Sequence, residues 1–236
     1  MKMLLSSLLL LCATGLLSLN NVDDDSKLSP AELEIIKTEL PSYPLTTCLV
    51  SKRALDSGDG PFDLVINGHL FRVCCPGCEG AAKAKATELR AAIERAVISA
   101  ERAHWPFKKC PVSGESYEKP EGQPVELVHG TRYVKLCCSS CVKAFEYGPE
   151  VFMKEIDAAY IAEQLKDYPL KTCPITGEAL GEKPVDFLYG TTLVRLCCKG
   201  CKKTFDEAPK VTLKKIQLAW AKAHREKAES SAPKKE

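Results

Sequence analysis

Little net charge and few histidines are the first features of this 236-residue sequence. Its 33 basic and 31 acidic side chains leave a net charge of +2, so the charge balance does not favour binding to nucleic acid or to an anionic membrane. No phosphate-binding loop and no nucleophile–base pattern stands out, and the histidines share no common spacing. These histidines are His69, His104, His129 and His224. The sequence therefore predicts no enzyme, no substrate and no nucleic-acid partner.

Cysteine, in contrast, is abundant: there are 13 cysteines, and 12 of them fall into three similar groups. In each group a single opening cysteine follows an aromatic residue and a proline, and a Cys-Cys-x-x-Cys cluster comes later. The opening cysteines recur after 62 and 63 residues. The groups are Cys48, Cys74, Cys75 and Cys78; Cys110, Cys137, Cys138 and Cys141; and Cys173, Cys197, Cys198 and Cys201. This regular spacing predicts three copies of one structural unit.

The first 20 residues have the pattern of an export signal. Lys2 precedes an apolar run over residues 4–11, and small residues at Ala13 and Gly15 predict cleavage after Gly15. An uncleaved anchor over residues 3–19 and lipid attachment at Cys12 are the alternatives. We expect an exported protein, periplasmic or secreted, that contacts a membrane only through this segment if it is uncleaved. Disulfides are permitted in such a compartment.

The sequence of each unit predicts a turn, two short strands and a helix. In the first unit, residues 62–66 and 69–75 flank Asn67-Gly68, a strong hairpin signal. The other two units are expected to turn at His129-Gly130 and at Tyr189-Gly190. A helix is predicted to begin around the last cysteine of each unit. The predicted fold class is α+β, with three tandem ββα cysteine modules linked by amphipathic helices.

The linking helices are predicted from apolar residues that recur at helical spacing. These are Leu89, Ile93, Val97 and Ala100; Phe152, Ile156 and Tyr160; and Leu213, Ile216, Trp220 and Ala223. Ser29, Pro30 and Glu32 predict a capped helix start before the first module. The expected divisions are a signal peptide at 1–20, a linker with a short helix at 21–42, modules at 43–104, 105–167 and 168–223, and a frayed or disordered charged tail at 224–236.

The cysteine spacing suits a metal site with ligands from separate parts of the chain. The turn offers one thiolate, the end of the hairpin offers another, and the start of the helix offers a third. We expect the N-terminus of the helix to favour the thiolate form of this last cysteine. Each module is small, so a bound metal would help to stabilise it.

Strand alternation assigns roles within each cysteine pair, because residues two apart share a face. Cys74, Cys137 and Cys197 share a face with the cations Arg72, Lys135 and Arg195. Cys75, Cys138 and Cys198 share theirs with Val73, Leu136 and Leu196. A nearby cation stabilises a thiolate, so the first cysteine of each pair is predicted to be a ligand. The second is predicted to face the core, as a buried free thiol or as a fourth ligand reached where the strand ends.

These motifs resemble the TRASH and YHS group of small treble-clef-like metal-binding domains. The second and third modules carry the resemblance, and the first is a weaker match. The residues that carry it are Cys110-Pro111-Val112-Ser113-Gly114, Leu136-Cys137-Cys138, Cys141, Phe145 and Pro149, with Cys173-Pro174-Ile175-Thr176-Gly177, Leu196-Cys197-Cys198, Cys201, Phe205 and Pro209. The resemblance implies heavy-metal binding in sensing, trafficking or resistance, with three ligands per module. By position these are Cys110, Cys137 and Cys141, and Cys173, Cys197 and Cys201.

Two other functions compete with metal binding. An even set of 12 repeated cysteines could form a disulfide framework, which would make the chain a structural or interaction module without metal. Each Cys-x-x-Cys motif could also belong to a thiol–disulfide oxidoreductase, although the βαβ pattern of such enzymes is absent. The adjacent cysteines and the cysteine at the start of the helix fit metal-ligand geometry better than a pattern of disulfide bridges. Thiolates without repeated histidines suit Zn(II) or Cu(I), and we expect up to three ions per chain.

The first module is predicted to be the weakest or an inactive site. Lys52 stands where the other modules have Gly114 and Gly177, so a left-handed backbone there would cost about 1 kcal/mol or more. Ala82 and Ala86 stand where the other modules have a phenylalanine and a proline. We therefore expect one continuous helix over residues 78–104, and a helix that breaks before the proline in the other two modules.

Overall fold

The computed structural model describes residues 28–58, 60–118 and 123–231, and it contains three repeats of a hairpin followed by helices. The helices are α1 (Pro30–Glu39), α2 (Glu79–Ala84), α3 (Ala86–Glu101), α4 (Ser139–Tyr147), α5 (Pro149–Leu165), α6 (Lys199–Glu207) and α7 (Pro209–Ser231). The strands are β1 (Phe62–Ile66), β2 (His69–Val73), β3 (Val125–His129), β4 (Arg132–Leu136), β5 (Val185–Tyr189) and β6 (Thr192–Leu196). The predicted α+β class with three ββα modules is confirmed.

The described residues include no helix that is both long enough and apolar enough to cross a membrane. The predicted export signal at 1–20 and Cys12 lie outside the described residues, so the export signal stays a prediction. Helix α1 begins as its sequence indicates. The Ser29 hydroxyl accepts from the Glu32 N–H, and the Glu32 carboxylate accepts from the Ser29 N–H. This reciprocal cap satisfies two backbone donors at the first turn of the helix.

Each module contains one antiparallel hairpin with a two-residue turn. Ile66 pairs with His69 across Asn67-Gly68, as predicted. In the other modules His129 pairs with Arg132, and Tyr189 pairs with Thr192. The turns are therefore Gly130-Thr131 and Gly190-Thr191, one residue later than predicted. The reason is that glycine occupies the first central position with positive φ, which is the requirement of a II′ turn.

A repeated hydrogen bond joins each hairpin to the helix that precedes its module. A side-chain oxygen near the end of that helix accepts from a backbone N–H in the second strand of the hairpin. The three bonds are Leu70 N to Glu39 Oε2 at 2.8 Å, Tyr133 N to Glu101 Oε2 at 3.0 Å and Leu193 N to Gln164 Oε1 at 2.9 Å. The linking helices are thus fixed to the modules that follow them. They do not act as flexible spacers.

Among the described residues the core consists of three clusters, each centred on one module, and the first also includes Tyr133 of the second module. Phe145 and Phe205 are buried at matching places in the second and third clusters, and Ala82 is buried in the first. Most of the predicted helical faces are buried or half-buried, but Ala100 is exposed and its neighbour Glu101 is buried instead. Glu101 turns inward because its carboxylate caps the Tyr133 N–H. Burial raises the pKa of this carboxyl.

One prediction about a helix is wrong. The expected helix over residues 78–104 is interrupted at Lys85 (φ −115°, ψ 22°), and α3 starts anew at Ala86. The break lies at the position equivalent to Gly148 and Ala208, where the helices of the other modules end before a proline. The first module has no proline there, so the packing of α3 on the core imposes the break. Within the predicted tail, residues 224–231 are helical, since α7 continues to Ser231. Lys227 forms an ion pair with Asp167 at 3.1 Å, and His224 packs against Trp220.

Candidate metal centre

Three cysteines converge in each module and form a cluster that could hold a metal ion. The opening cysteine, the first cysteine of the pair and the last cysteine place their sulfurs within 4.8 Å of one another. The clusters are Cys48, Cys74 and Cys78; Cys110, Cys137 and Cys141; and Cys173, Cys197 and Cys201. All of these thiols are buried except Cys197, which is half-buried. The remaining three predicted site residues, Cys75, Cys138 and Cys198, fall outside these mutually close groups.

The opening cysteine is held by a tight backbone turn. In the second module the Cys110 N–H donates to the Glu115 carbonyl at 2.8 Å, and the Gly114 N–H donates to the Cys110 carbonyl at 2.8 Å. The same two bonds occur in the other modules. Gly114 and Gly177 have φ of 71° and 79°, and Lys52 is forced into the same region at φ 64°. Lys52 thus has the left-handed backbone that is costly for a residue with a Cβ.

We expect Lys52→Gly to stabilise the first module by roughly 0.5–1 kcal/mol, because it removes left-handed strain while restoring some freedom to the unfolded chain. Gly114→Lys is the matched reverse change in the second module and should destabilise by a similar amount. A side chain has room there, since no atom lies within 4 Å of a Cβ built at Gly114. Urea denaturation of the reduced protein measures both effects. Changes of the same sign would show that backbone conformation is not their cause.

The two members of each cysteine pair have environments opposite to those predicted from alternation. Cys74 and Cys137 are buried, Cys75 and Cys138 are half-buried, and Cys198 is exposed. The second cysteine is therefore less buried than predicted: Cys75 and Cys138 pack only at the edge of their cores, and Cys198 is exposed. The reason is that the strands end at Val73, Leu136 and Leu196, before either cysteine of the pair. The second cysteine instead precedes a helical turn in extended conformation, with φ −163° and ψ 170° at Cys138, and its side chain makes no capping hydrogen bond.

The sulfur spacing fits one thiophilic ion per cluster. A tetrahedral zinc site with Zn–S bonds of about 2.3 Å has sulfurs about 3.8 Å apart. The distance between the first cysteine of the pair and the last is 4.0, 3.6 and 3.5 Å in the three modules. The second cysteine lies 3.6 to 3.7 Å from the last sulfur. No two sulfurs among the described cysteines are at disulfide bonding distance.

A hydroxyl three residues after each opening cysteine contacts the first thiol of the pair, and the sequence-based assignment did not include it. Ser51 Oγ lies 3.0 Å from Cys74 Sγ, and Ser113 Oγ lies 3.3 Å from Cys137 Sγ. Thr176 Oγ1 lies 3.6 Å from Cys197 Sγ. Groups that bond to metal ligands orient them. The signal available in the sequence was the hydroxyl residue at the same place in all three repeats.

The opening thiols favour the thiolate form. Burial alone would raise the pKa of Cys48, but hydrogen bonds from the Ser51 backbone and hydroxyl outweigh it and lower that pKa to about 6. At Cys173 burial is likewise outweighed by backbone hydrogen bonds, with Thr176 the largest contributor, and its pKa falls to about 6. The same balance lowers the pKa of Cys110 to about 7.

The last thiols behave in the opposite way. Burial raises the pKa of Cys78 and Cys141 to about 12, and it raises the pKa of Cys201 as well. The expectation that the helix N-terminus makes these residues thiolates is therefore not met, because burial beside other sulfurs outweighs the helix. A metal ion that binds the cluster must displace this last proton, so its affinity must increase with pH.

No family model, no curated protein and no solved structure matches the chain.

Proposed function

We propose that this chain is an exported heavy-metal-binding protein of the TRASH/YHS type, which holds Zn(II) or Cu(I) through cysteine thiolates for storage, buffering or trafficking. The observation that carries the proposal is the same three-sulfur cluster, buried except at Cys197 and built three times from equivalent positions. Thiolates select soft and borderline ions, and a cluster with no repeated histidine fits Zn(II) and Cu(I). Up to three ions per chain follow from one ion per module.

The roles of the cysteines follow from their positions. The opening cysteine is held by its turn, and its lowered pKa makes it the first thiolate available to an incoming ion. The first cysteine of the pair and the last cysteine complete the cluster from the hairpin and the helix. The second cysteine of the pair is nearest to solvent and lies beside the last ligand. We assign it to ligand exchange, in which its sulfur binds the ion as another ligand leaves.

Elemental analysis of protein purified under reducing conditions tests the proposal. We expect two to three zinc or copper ions per chain, because each module offers a cluster with metal-ligand spacing. The protein is also stripped of metal and reloaded, with free thiols titrated in parallel. The control is Cys141→Ser, which removes a buried member of one cluster and should lower the stoichiometry by one.

A freshly exported protein with all 12 module cysteines in disulfides and no bound metal would contradict the proposal. That outcome would establish the disulfide-stapled structural or interaction module instead. Detection of the cleaved N-terminus in the same sample tests the export signal.

A further inference from the structure

The three clusters differ in the charge of one residue, five positions after the opening cysteine. The first module has Arg53 at this position, whereas the second and third modules have Glu115 and Glu178. The position is equivalent in all three turns, because the carbonyl of each residue accepts the N–H of its opening cysteine. The modules thus share one turn and one sulfur cluster but carry opposite charges at its edge.

In the first and third modules the charged group contacts a sulfur of the cluster. Arg53 NH2 donates to Cys74 Sγ at 3.6 Å and to Cys75 Sγ at 3.5 Å. In the third module Glu178 Oε2 lies 3.8 Å from Cys197 Sγ. Arg53 and Glu178 are both exposed, so replacing either one does not open the core. A cavity of about 200 Å³ beside Arg53, Cys74 and Cys75 provides room for a different side chain.

Charge distinguishes the two candidate ions. Three thiolates carry three negative charges, so a monovalent ion leaves the cluster at −2 and a divalent ion leaves it at −1. A neighbouring cation therefore stabilises the monovalent complex about twice as strongly as the divalent one, and a neighbouring carboxylate penalises it more. A positive residue at this position favours Cu(I), and a negative one favours Zn(II).

We propose that the residue at this position sets the metal preference of each module, so that the first module selects a monovalent thiophilic ion and the third selects a divalent one. This inference rests on the proposed function, because it assumes that the clusters bind metal. It makes Arg53 and Glu178 specificity-determining residues, and it makes the chain a carrier of two kinds of ion. The second module carries a negative residue at this position, as the third module does.

Charge reversal in the full-length reduced protein tests the inference. Cu(I) and Zn(II) affinities are measured by competition with chelators of known affinity, and amide NMR signals of Cys48 and Cys173 identify the module that is filled. Arg53→Gln should lower the ratio of Cu(I) to Zn(II) affinity in the first module about fivefold, the effect of one unit charge about 4 Å away in water, because Arg53 is exposed. Arg53→Glu should lower it about 25-fold, because the change in charge doubles. Glu178→Arg should raise the ratio in the third module.

Salt separates an electrostatic cause from a structural one. The effect of Arg53→Glu should shrink as ionic strength rises, because exposed charges are screened. If both ions still bind and the ratio in each module stays within twofold of the original, the inference is overturned while the proposed function stands. If neither ion binds any module of the unaltered protein, the proposed function has failed and the inference fails with it.

Discussion

Cys197→Ser should weaken metal binding at the third module about a thousandfold, whereas Cys198→Ser should weaken it less than tenfold. Structural zinc sites gain about 10–16 kcal/mol on binding, so each of three or four thiolates contributes roughly 3–5 kcal/mol. Cys197 belongs to the cluster whose sulfurs all lie within 4.8 Å of one another, and Cys198 does not. Cys197 also lies 3.5 Å from Cys201 Sγ and 3.6 Å from the Thr176 hydroxyl.

Chelator competition on the full chain measures this difference, with the NMR signals of the third module as the readout. The two variants are well matched, because they remove the same atom from adjacent residues. Cys198→Ser has a second expected effect: metal transfer to an added small thiol should slow, since the exposed exchange ligand is gone. Equal losses of affinity in the two variants would show that both thiols are ligands of one four-sulfur site.

Phe145→Ala should destabilise the second module by about 3–5 kcal/mol, the range found when a buried aromatic side chain is removed from a core. Phe145 is 2 % exposed, and its ring packs on Phe152 at 6.0 Å and on His129 at 5.5 Å between centroids. Its helix α4 carries Cys141 four residues earlier, so loss of the anchor also loosens the last ligand. Tyr147→Ala is the control, because Tyr147 lies on the same helix and is 96 % exposed.

Urea denaturation of metal-loaded protein measures both changes in a Trp220→Phe background, where Trp105 is the remaining tryptophan. Trp105 packs against the cores of both the first and the second module, so its fluorescence reports the loss of either core. We expect Tyr147→Ala to stay within about 0.5 kcal/mol of the parent, as surface substitutions do. A similar cost for the two variants would mean that α4 is not anchored to the core through Phe145.

Some features could be predicted from the sequence because they depend on residues that are close together in the chain. The cysteine repeat predicted three modules, and Ser29, Pro30 and Glu32 predicted the start of α1, since capping needs only residues within one turn. The glycines at the matching positions indicated that a left-handed backbone would be costly at Lys52, and Lys52 adopts it. In each of these cases the interacting groups are a few residues apart, or the repeat supplies the comparison.

Only the tertiary structure decided which sulfurs meet and what surrounds them. Alternation placed Cys198 in the core, yet the strand ends at Leu196, and the direction of the chain beyond it depends on how α6 packs. Lys85 breaks its helix although no proline follows, because α3 must pack on the first module and on the next hairpin. Arg53 reaches the sulfurs of Cys74 and Cys75 across more than 20 residues of sequence, a contact that no local pattern encodes. Periodicity and capping determined the elements, whereas packing between distant segments determined the composition and the charge of the site.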